Sequence, residues 1–169
     1  MKNSRIIKPL LAGLILVLLS SYNAFAQEAN FSGTWTINKE KVDFNGAPQW
    51  ILPIKFVISQ NADKINIQRM LLDNHSVENN STVSLDFKGD SVQAKTSSGL
   101  PFKCLVSWNA DQESFMFSSQ SFTADGHPGS KVSENWFLSD DGDTLNINRS
   151  VEQADGFKYS IRAVYDKAN

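Results

Sequence analysis

The sequence predicts an all-β fold, an antiparallel up-and-down meander of about ten strands closed into a barrel. Three observations predict it. Apolar residues alternate along most of the chain. Turn signals recur at Asn61-Ala62-Asp63, Lys88-Gly89-Asp90, Ser98-Gly99, Asn109-Ala110-Asp111, Asp125-Gly126, Asp141-Gly142-Asp143 and Asp155-Gly156. Beyond the N-terminal leader, no long segment keeps a helical period. A meander of this length closes on itself or packs as two sheets, because closure removes the edge strands that would template aggregation.

The elements follow in order. Residues 1–26 form a separate unit with Lys2, Arg5 and Lys8 at its start, an apolar run from Leu10 to Leu19, and the small-x-small triplet Ala24-Phe25-Ala26. That is the pattern of a secretory signal peptide, and its apolar run of about ten residues is half of what spans a bilayer. Cleavage there leaves 143 of the 169 residues, 27–169, as one domain. The leader takes three of the 16 basic residues with it, so 13 remain against 18 acidic ones, a formal charge of −5. This acidic balance argues against a nucleic-acid surface and a polybasic membrane anchor. A periplasmic or secreted protein is expected, with no membrane span after cleavage and a monomeric or weakly dimeric state. Cys104 is the only thiol, so the domain must stand on its core without an internal disulfide.

Strands are predicted over 31–38, 51–59, 64–72, 81–87, 91–97, 102–108, 114–121, 131–139, 144–151 and 157–166, with one helical turn over Lys39 to Val42. Hairpin geometry then assigns partners. A turn at Asp141-Gly142 pairs Leu138 with Leu145, Trp136 with Ile147 and Val132 with Val151. A turn at Asn61-Ala62 pairs Ile58 with Ile65, Phe56 with Ile67 and Leu52 with Leu71. Lys88-Gly89 pairs Leu85 with Val92 and Val83 with Ala94. A loop at 110–113 sets Trp108 against Phe115 and Val106 against Phe117. Each pairing keeps one apolar face. Residues 56–69 also align without a gap onto 136–149, five of 14 positions being identical and ending on Arg69 and Arg149; similar hairpin positions selecting similar residues explains this as well as duplication does.

Arg69 and Arg149 fall on the apolar face by alternation. The same register places Glu134 opposite Arg149, and a turn at Gln153-Ala154-Asp155 places Tyr159 beside it. Glu134, Arg149 and Tyr159 are thus expected in one polar row flanked by Val132, Trp136, Ile147, Ile161 and Phe157. A buried cation needs a partner. Either Glu134 neutralises Arg149, Tyr159 satisfies the remaining donors and the row closes one end of the core, or the row lines a cavity in which the Arg149 fork and the Tyr159 hydroxyl grip the carboxylate or phosphate of an amphipathic ligand, the ligand-binding set then being Arg149, Tyr159, Glu134, Arg69 and Trp136. The counter-ion already in place favours the first.

The opening Asn30-Phe31-Ser32-Gly33-Thr34-Trp35 resembles the Gly-x-Trp start of the lipocalins and fatty-acid-binding proteins, the calycins, and Val164-Tyr165-Asp166-Lys167 resembles the close of the latter. The chain as a whole is similar to secreted bacterial lipocalin-like domain proteins. The resemblance implies a lipocalin-like barrel with Trp35 plugging its closed end beneath a late arginine, Arg162 or Arg149. It implies a small hydrophobic or amphipathic ligand inside. The chain departs from it in two places: Lys39 to Trp50 is too short for a helix–turn–helix lid, and Arg162 and Tyr165 fall on opposite faces, so the family's inward Arg-x-Tyr pair is missing.

Enzyme sites are not legible. His75 and His127 stand in polar loops without a metal-ligand partner. Cys104 alternates with Phe102, Val106 and Trp108 as a core thiol, and no phosphate-binding glycine loop is present. Asp140 to Asp143 reads as hairpin chemistry rather than a calcium site. No cofactor, metal or nucleic-acid partner is expected. The leading expectation is an exported binding protein; the runner-up is an envelope interaction or inhibitor module with a solid core. Trp50, beside Pro48, either covers the core or sits at the mouth.

Overall fold

The computed structural model describes residues 28–96 and 99–168. The leader expected over 1–26 and Ser98 of the turn expected at Ser98-Gly99 lie outside the described residues. Ten antiparallel strands form one sheet: β1 (Gly33–Ile37), β2 (Lys55–Gln60), β3 (Lys64–Leu72), β4 (Glu78–Asp86), β5 (Val92–Lys95), β6 (Pro101–Trp108), β7 (Ser114–Phe122), β8 (Pro128–Leu138), β9 (Thr144–Glu152) and β10 (Lys158–Lys167). Their order is β4-β3-β2-β1-β10-β9-β8-β7-β6-β5, so β1 sits between β2 and β10 and the up-and-down meander wraps into a nearly closed barrel. This is the expected all-β meander, wrapped into a lipocalin-like barrel. Among the described residues the β1–β2 connection holds a 3₁₀ turn at Gln49–Ile51 in place of a helix–turn–helix lid, as its shortness indicated, while Lys39 to Lys41 form a turn on the Asn38 side chain rather than the expected helical turn.

Two registers hold as expected. Leu138 pairs with Leu145, Trp136 with Ile147 and Val132 with Val151; Trp108 pairs with Phe115 and Val106 with Phe117. Two others slip by two residues. Ile58 pairs with Ile67 and Phe56 with Arg69, because the β2–β3 turn centres on Ala62-Asp63, one residue later than expected. Leu52 precedes β2 altogether, although it is buried. Likewise Tyr159 pairs with Val151 and Ile161 with Arg149. There the loop is Ala154-Asp155-Gly156, closed by Gln153 N–H to Phe157 O at 2.8 Å and Gly156 N–H to Gln153 O at 2.9 Å, with Gly156 at φ 86°. A type I turn followed by a left-handed residue needs its glycine inside the three-residue loop, which moves the strand after it. A slip of two keeps every side chain on its face and changes only its neighbour.

The pairing expected across Lys88-Gly89 does not form. β5 pairs only with β6, and the sheet is open between β4 and β5. Phe87 turns inward to stack on Trp108, ring centroids 4.5 Å apart, while Lys88 bridges to Ser107 on β6. The chain leaving β4 is therefore drawn to β6 before β5 begins.

Up-and-down order puts alternate turns at alternate ends. The β2–β3, β4–β5, β6–β7 and β8–β9 turns mark one end, and that end is filled. Phe31 packs edge-on to Phe115 at 4.7 Å, and above them Trp136 meets Phe115 at 5.2 Å and Phe56 at 4.9 Å. Trp35 is fully buried, its indole N–H donating to Phe31 O at 2.9 Å. Gly33 precedes it at φ 148°, a value side-chain-bearing residues avoid, and a Cβ there would come 3.5 Å from Lys167 Cε. The cation over Trp35 is Lys167, Nζ 5.4 Å from the ring, not Arg162 or Arg149. Arg162 is exposed on the outer face and Arg149 is engaged elsewhere.

The β3–β4 turn has the hydrogen-bond pattern of the β9–β10 turn, Asp73 N–H to Val77 O and Ser76 N–H to Asp73 O, each at 3.0 Å. Here Ser76, not glycine, is left-handed at φ 62°. Replacing Ser76 with Gly is expected to stabilise the protein by about 0.5 kcal/mol, because relief of the left-handed penalty outweighs the added freedom of the unfolded chain. A higher urea midpoint at unchanged slope is the reading that checks it.

Candidate functional site

The layer above the aromatic plug is ionic. Alternation along β3, β8 and β9 points Arg69, Glu134 and Arg149 inward. Glu134 pairs with Arg149 across the β8–β9 ladder as expected, and Arg149 Nη1 donates to Glu134 Oε1 at 2.8 Å. Arg69 reaches the same carboxylate from the far wall, its Nη2 lying 3.6 Å from Oε2. The indole N–H of Trp136 donates to Oε2 at 3.0 Å. Glu134 is only 4% exposed, so one buried carboxylate serves two guanidiniums and the cluster carries a net charge of +1.

The cations are incompletely satisfied. Arg69 Nη2 and Arg149 Nε are buried without a hydrogen-bond partner. The Arg69 guanidinium sits over aromatic rings instead, its Cζ 4.3 Å from the Phe117 ring centroid and 5.9 Å from those of Phe56 and Trp136. Burial holds the Arg69 pKa below its ordinary value; Glu134 opposes that shift and Arg149 reinforces it. The two-residue slip of the β2–β3 hairpin is what sets Arg69 opposite Phe56. It also separates the two similar hairpins, since Trp136, the counterpart of Phe56, pairs with Ile147 rather than with Arg149.

This ion layer floors a cavity. A space of about 270 Å³ stands above Arg69, Glu134, Arg149 and Phe117, walled by Leu71, Phe102, Ser119 and Val132 and by Ile51 of the 3₁₀ turn. A larger hollow of about 850 Å³ adjoins it at Ser119 and Val132 and is bordered by Cys104, Val151 and Tyr159. Residues from both faces of β6–β10 edge that hollow, so backbone as well as side chains bounds it. The β7 strand bulges between Gln120 and Phe122 on this wall, and Gln120 Nε2 caps Gly129 O at 3.0 Å.

Of the expected site residues, Arg69, Glu134, Arg149 and Trp136 converge as one cluster. Tyr159 does not join them: it stands opposite Val151 and borders the larger hollow. Phe157, expected beside the row, is 61% exposed. The convergence of Arg69 on Glu134 escaped the sequence reading, because β3 and β8 are not neighbours and only closure of the barrel brings them together. Cys104 is buried and free, as its alternation indicated. Among the described residues no three His, Cys, Asp or Glu side chains gather as metal ligands, and no helix is long and apolar enough to cross a membrane.

No protein-family model and no curated protein matches the chain. Among solved structures, zebrafish ileal bile acid-binding protein complexed with cholic acid superposes at a TM-score of 0.49, with 16% identity over 82% of this chain and 98% of that one.

Two expectations follow from the ion layer and its surroundings. Glu134→Gln leaves two buried guanidiniums without a countercharge, and a loss of roughly 3–5 kcal/mol in unfolding free energy is expected. Replacing all three charged residues with Met should recover most of that loss, as measured by urea denaturation. Burial also pushes the Cys104 thiol above 9.0 and the Tyr165 phenol above 10.0, their ordinary values. Both groups bind their proton more tightly in the folded state, so the stability they contribute is complete below those values and is lost as pH rises past them. The melting temperature should fall from about pH 9 upward, and Cys104→Ala should remove the earlier part of the fall while leaving the later part.

Proposed function

We propose that this protein is an exported binding protein that holds a small amphipathic anion inside the barrel. The tail occupies the apolar space above the ion layer, and the head meets Arg69 and Arg149. The observation that carries this reading is the pair of guanidinium N–H groups, Arg69 Nη2 and Arg149 Nε, buried at the cavity floor without an acceptor. A donor left dry and unbonded costs one to a few kcal/mol, and an oxyanion arriving between the arginines relieves that cost at both groups. Glu134 tunes the site rather than abolishing it: with one carboxylate against two cations, a single negative charge brings the cluster to neutrality.

The interior supports the same reading. Its lower half is solid with aromatic rings, which agrees with a module that works through its outer surface. Its upper half is open, with about 270 Å³ directly over the charges, just below the range of small-molecule sites, and beside it the larger hollow of about 850 Å³, which falls within that range. The pattern of residues 1–26 supports export, which sets the binding outside the cytoplasm.

The test compares a head-group pair on one tail. Dodecanoate and dodecanol, titrated calorimetrically, share every apolar contact and differ in charge. Dodecanoate is expected to bind more tightly, and Arg69→Gln to weaken dodecanoate by about ten-fold or more while leaving dodecanol unchanged. Equal affinities for both compounds in the wild type would remove the head-group assignment. Native mass spectrometry of protein taken from its own envelope would identify the physiological occupant.

A further inference from the structure

The end of the barrel opposite the aromatic plug is formed by the β1–β2 connection and the β3–β4, β5–β6, β7–β8 and β9–β10 turns. Among the described residues five large apolar side chains are strongly exposed: Trp50 at 51%, Val77 at 56%, Leu100 at 40%, Phe157 at 61% and Val57 at 40%. The first four all belong to this end, each on a different connection, and only Val57 lies on the barrel wall, in β2. None lies on the turns of the filled end. Each of the four is next to, or two residues from, a residue that borders a cavity: Trp50 to Ile51, Val77 to Asn79, Leu100 to Phe102, and Phe157 to Tyr159.

Charge divides along the same axis. The turns of the filled end carry Asp63, Asp90, Asp111, Glu113, Asp140, Asp141 and Asp143 against Lys64 and Lys88. The turns at the mouth carry three acids, Asp73, Asp125 and Asp155, together with His75 and His127, and the β1–β2 connection balances Lys39 and Lys41 against Glu40 and Asp43.

We propose that this rim is a docking surface for a lipid bilayer, which the barrel meets mouth first, with Trp50, Val77, Leu100 and Phe157 entering the interface. Two features select a lipid surface over a folded partner. The four side chains stand singly on separate turns among polar residues, so they do not make the continuous apolar patch that a protein interface buries at its centre. A fluid interface takes up isolated apolar tips without needing a matched shape. The charge distribution is compatible with this orientation, because the more acidic pole is held farthest from the membrane, while the mouth carries three acids on its turns beside a balanced β1–β2 connection. In this position the cavity opens into the acyl region, and a ligand passes between bilayer and barrel without crossing water.

The experiment is cosedimentation of the intact protein with phosphatidylcholine vesicles, alongside quenching of tryptophan emission by brominated phosphatidylcholine. Wild type is expected to sediment with the vesicles and to be quenched through Trp50. A Val77→Ser, Leu100→Ser, Phe157→Ser triple variant, with its melting temperature retained, should partition about ten-fold or more weakly, whereas Val57→Ser should partition like wild type. Absence of wild-type sedimentation, or an equal loss on Val57→Ser, overturns the proposal. So does a concentration-dependent dimer that the triple variant abolishes, which would assign the rim to a second copy of the chain. Vesicle binding is read without any bound amphipath, so its failure would leave the dodecanoate comparison intact, and failure of that comparison would leave the rim assignment intact.

Discussion

The arrangement of the interior turns on one buried carboxylate. Glu134 accepts from Arg149 and from the Trp136 indole and stands 3.6 Å from Arg69. It therefore ties β8 to β9 beside it and to β3 on the opposite wall. Desolvating one carboxylate and two guanidiniums costs several kcal/mol per ion unless they are mutually compensated. That compensation is available only when the barrel is wrapped so that β3 faces β8. The cluster thus contributes less to net stability than to selecting one closed arrangement, and the same selection leaves Arg69 Nη2 and Arg149 Nε buried without a hydrogen-bond partner.

Beneath Glu134 the structure follows from packing. Phe56, Phe115 and Trp136 pack ring against ring at about 5 Å, and the indole of Trp136 couples the apolar layer to the ionic one through a single hydrogen bond. Arg69 lies on Phe117 rather than deeper, because its guanidinium gains from the ring face what it has lost in hydration. Polarity therefore peaks in the ion layer, between the aromatic rings below it and the mostly apolar space above it. A molecule with a charged head and an apolar body would enter head first.

Much of this was legible in the chain. Period-two alternation located all ten strands and placed Arg69, Glu134, Arg149 and Trp136 on the inner face, because facing depends only on parity. Neighbours across a ladder depend also on how many residues the turn consumes. The left-handed Gly156 in the three-residue β9–β10 loop moved Tyr159 two positions away from Arg149, and a β2–β3 turn centred one residue later, on Ala62-Asp63, brought Phe56 opposite Arg69. The break between β4 and β5 was not legible, since local alternation around Lys88-Gly89 resembles any other hairpin and the competing contact, Phe87 on Trp108, comes from more distant sequence. Contacts across the barrel, such as Arg69 with Glu134, exist only once the circle is closed.

That circle is completed by β1, which is zipped to β2 on one side and to β10 on the other. Strands β2 to β10 each have a neighbour nearby in the chain, whereas the seam between β1 and β10 joins residues some 130 positions apart, Trp35 with Lys167 among them. During synthesis the nascent chain can build its hairpins one after another, yet Trp35 has no cation over it and the first strand keeps one bare edge until the final strand has emerged. The β1–β10 seam thus carries the longest sequence separation in the sheet, the kind of contact whose loop-closure cost slows folding.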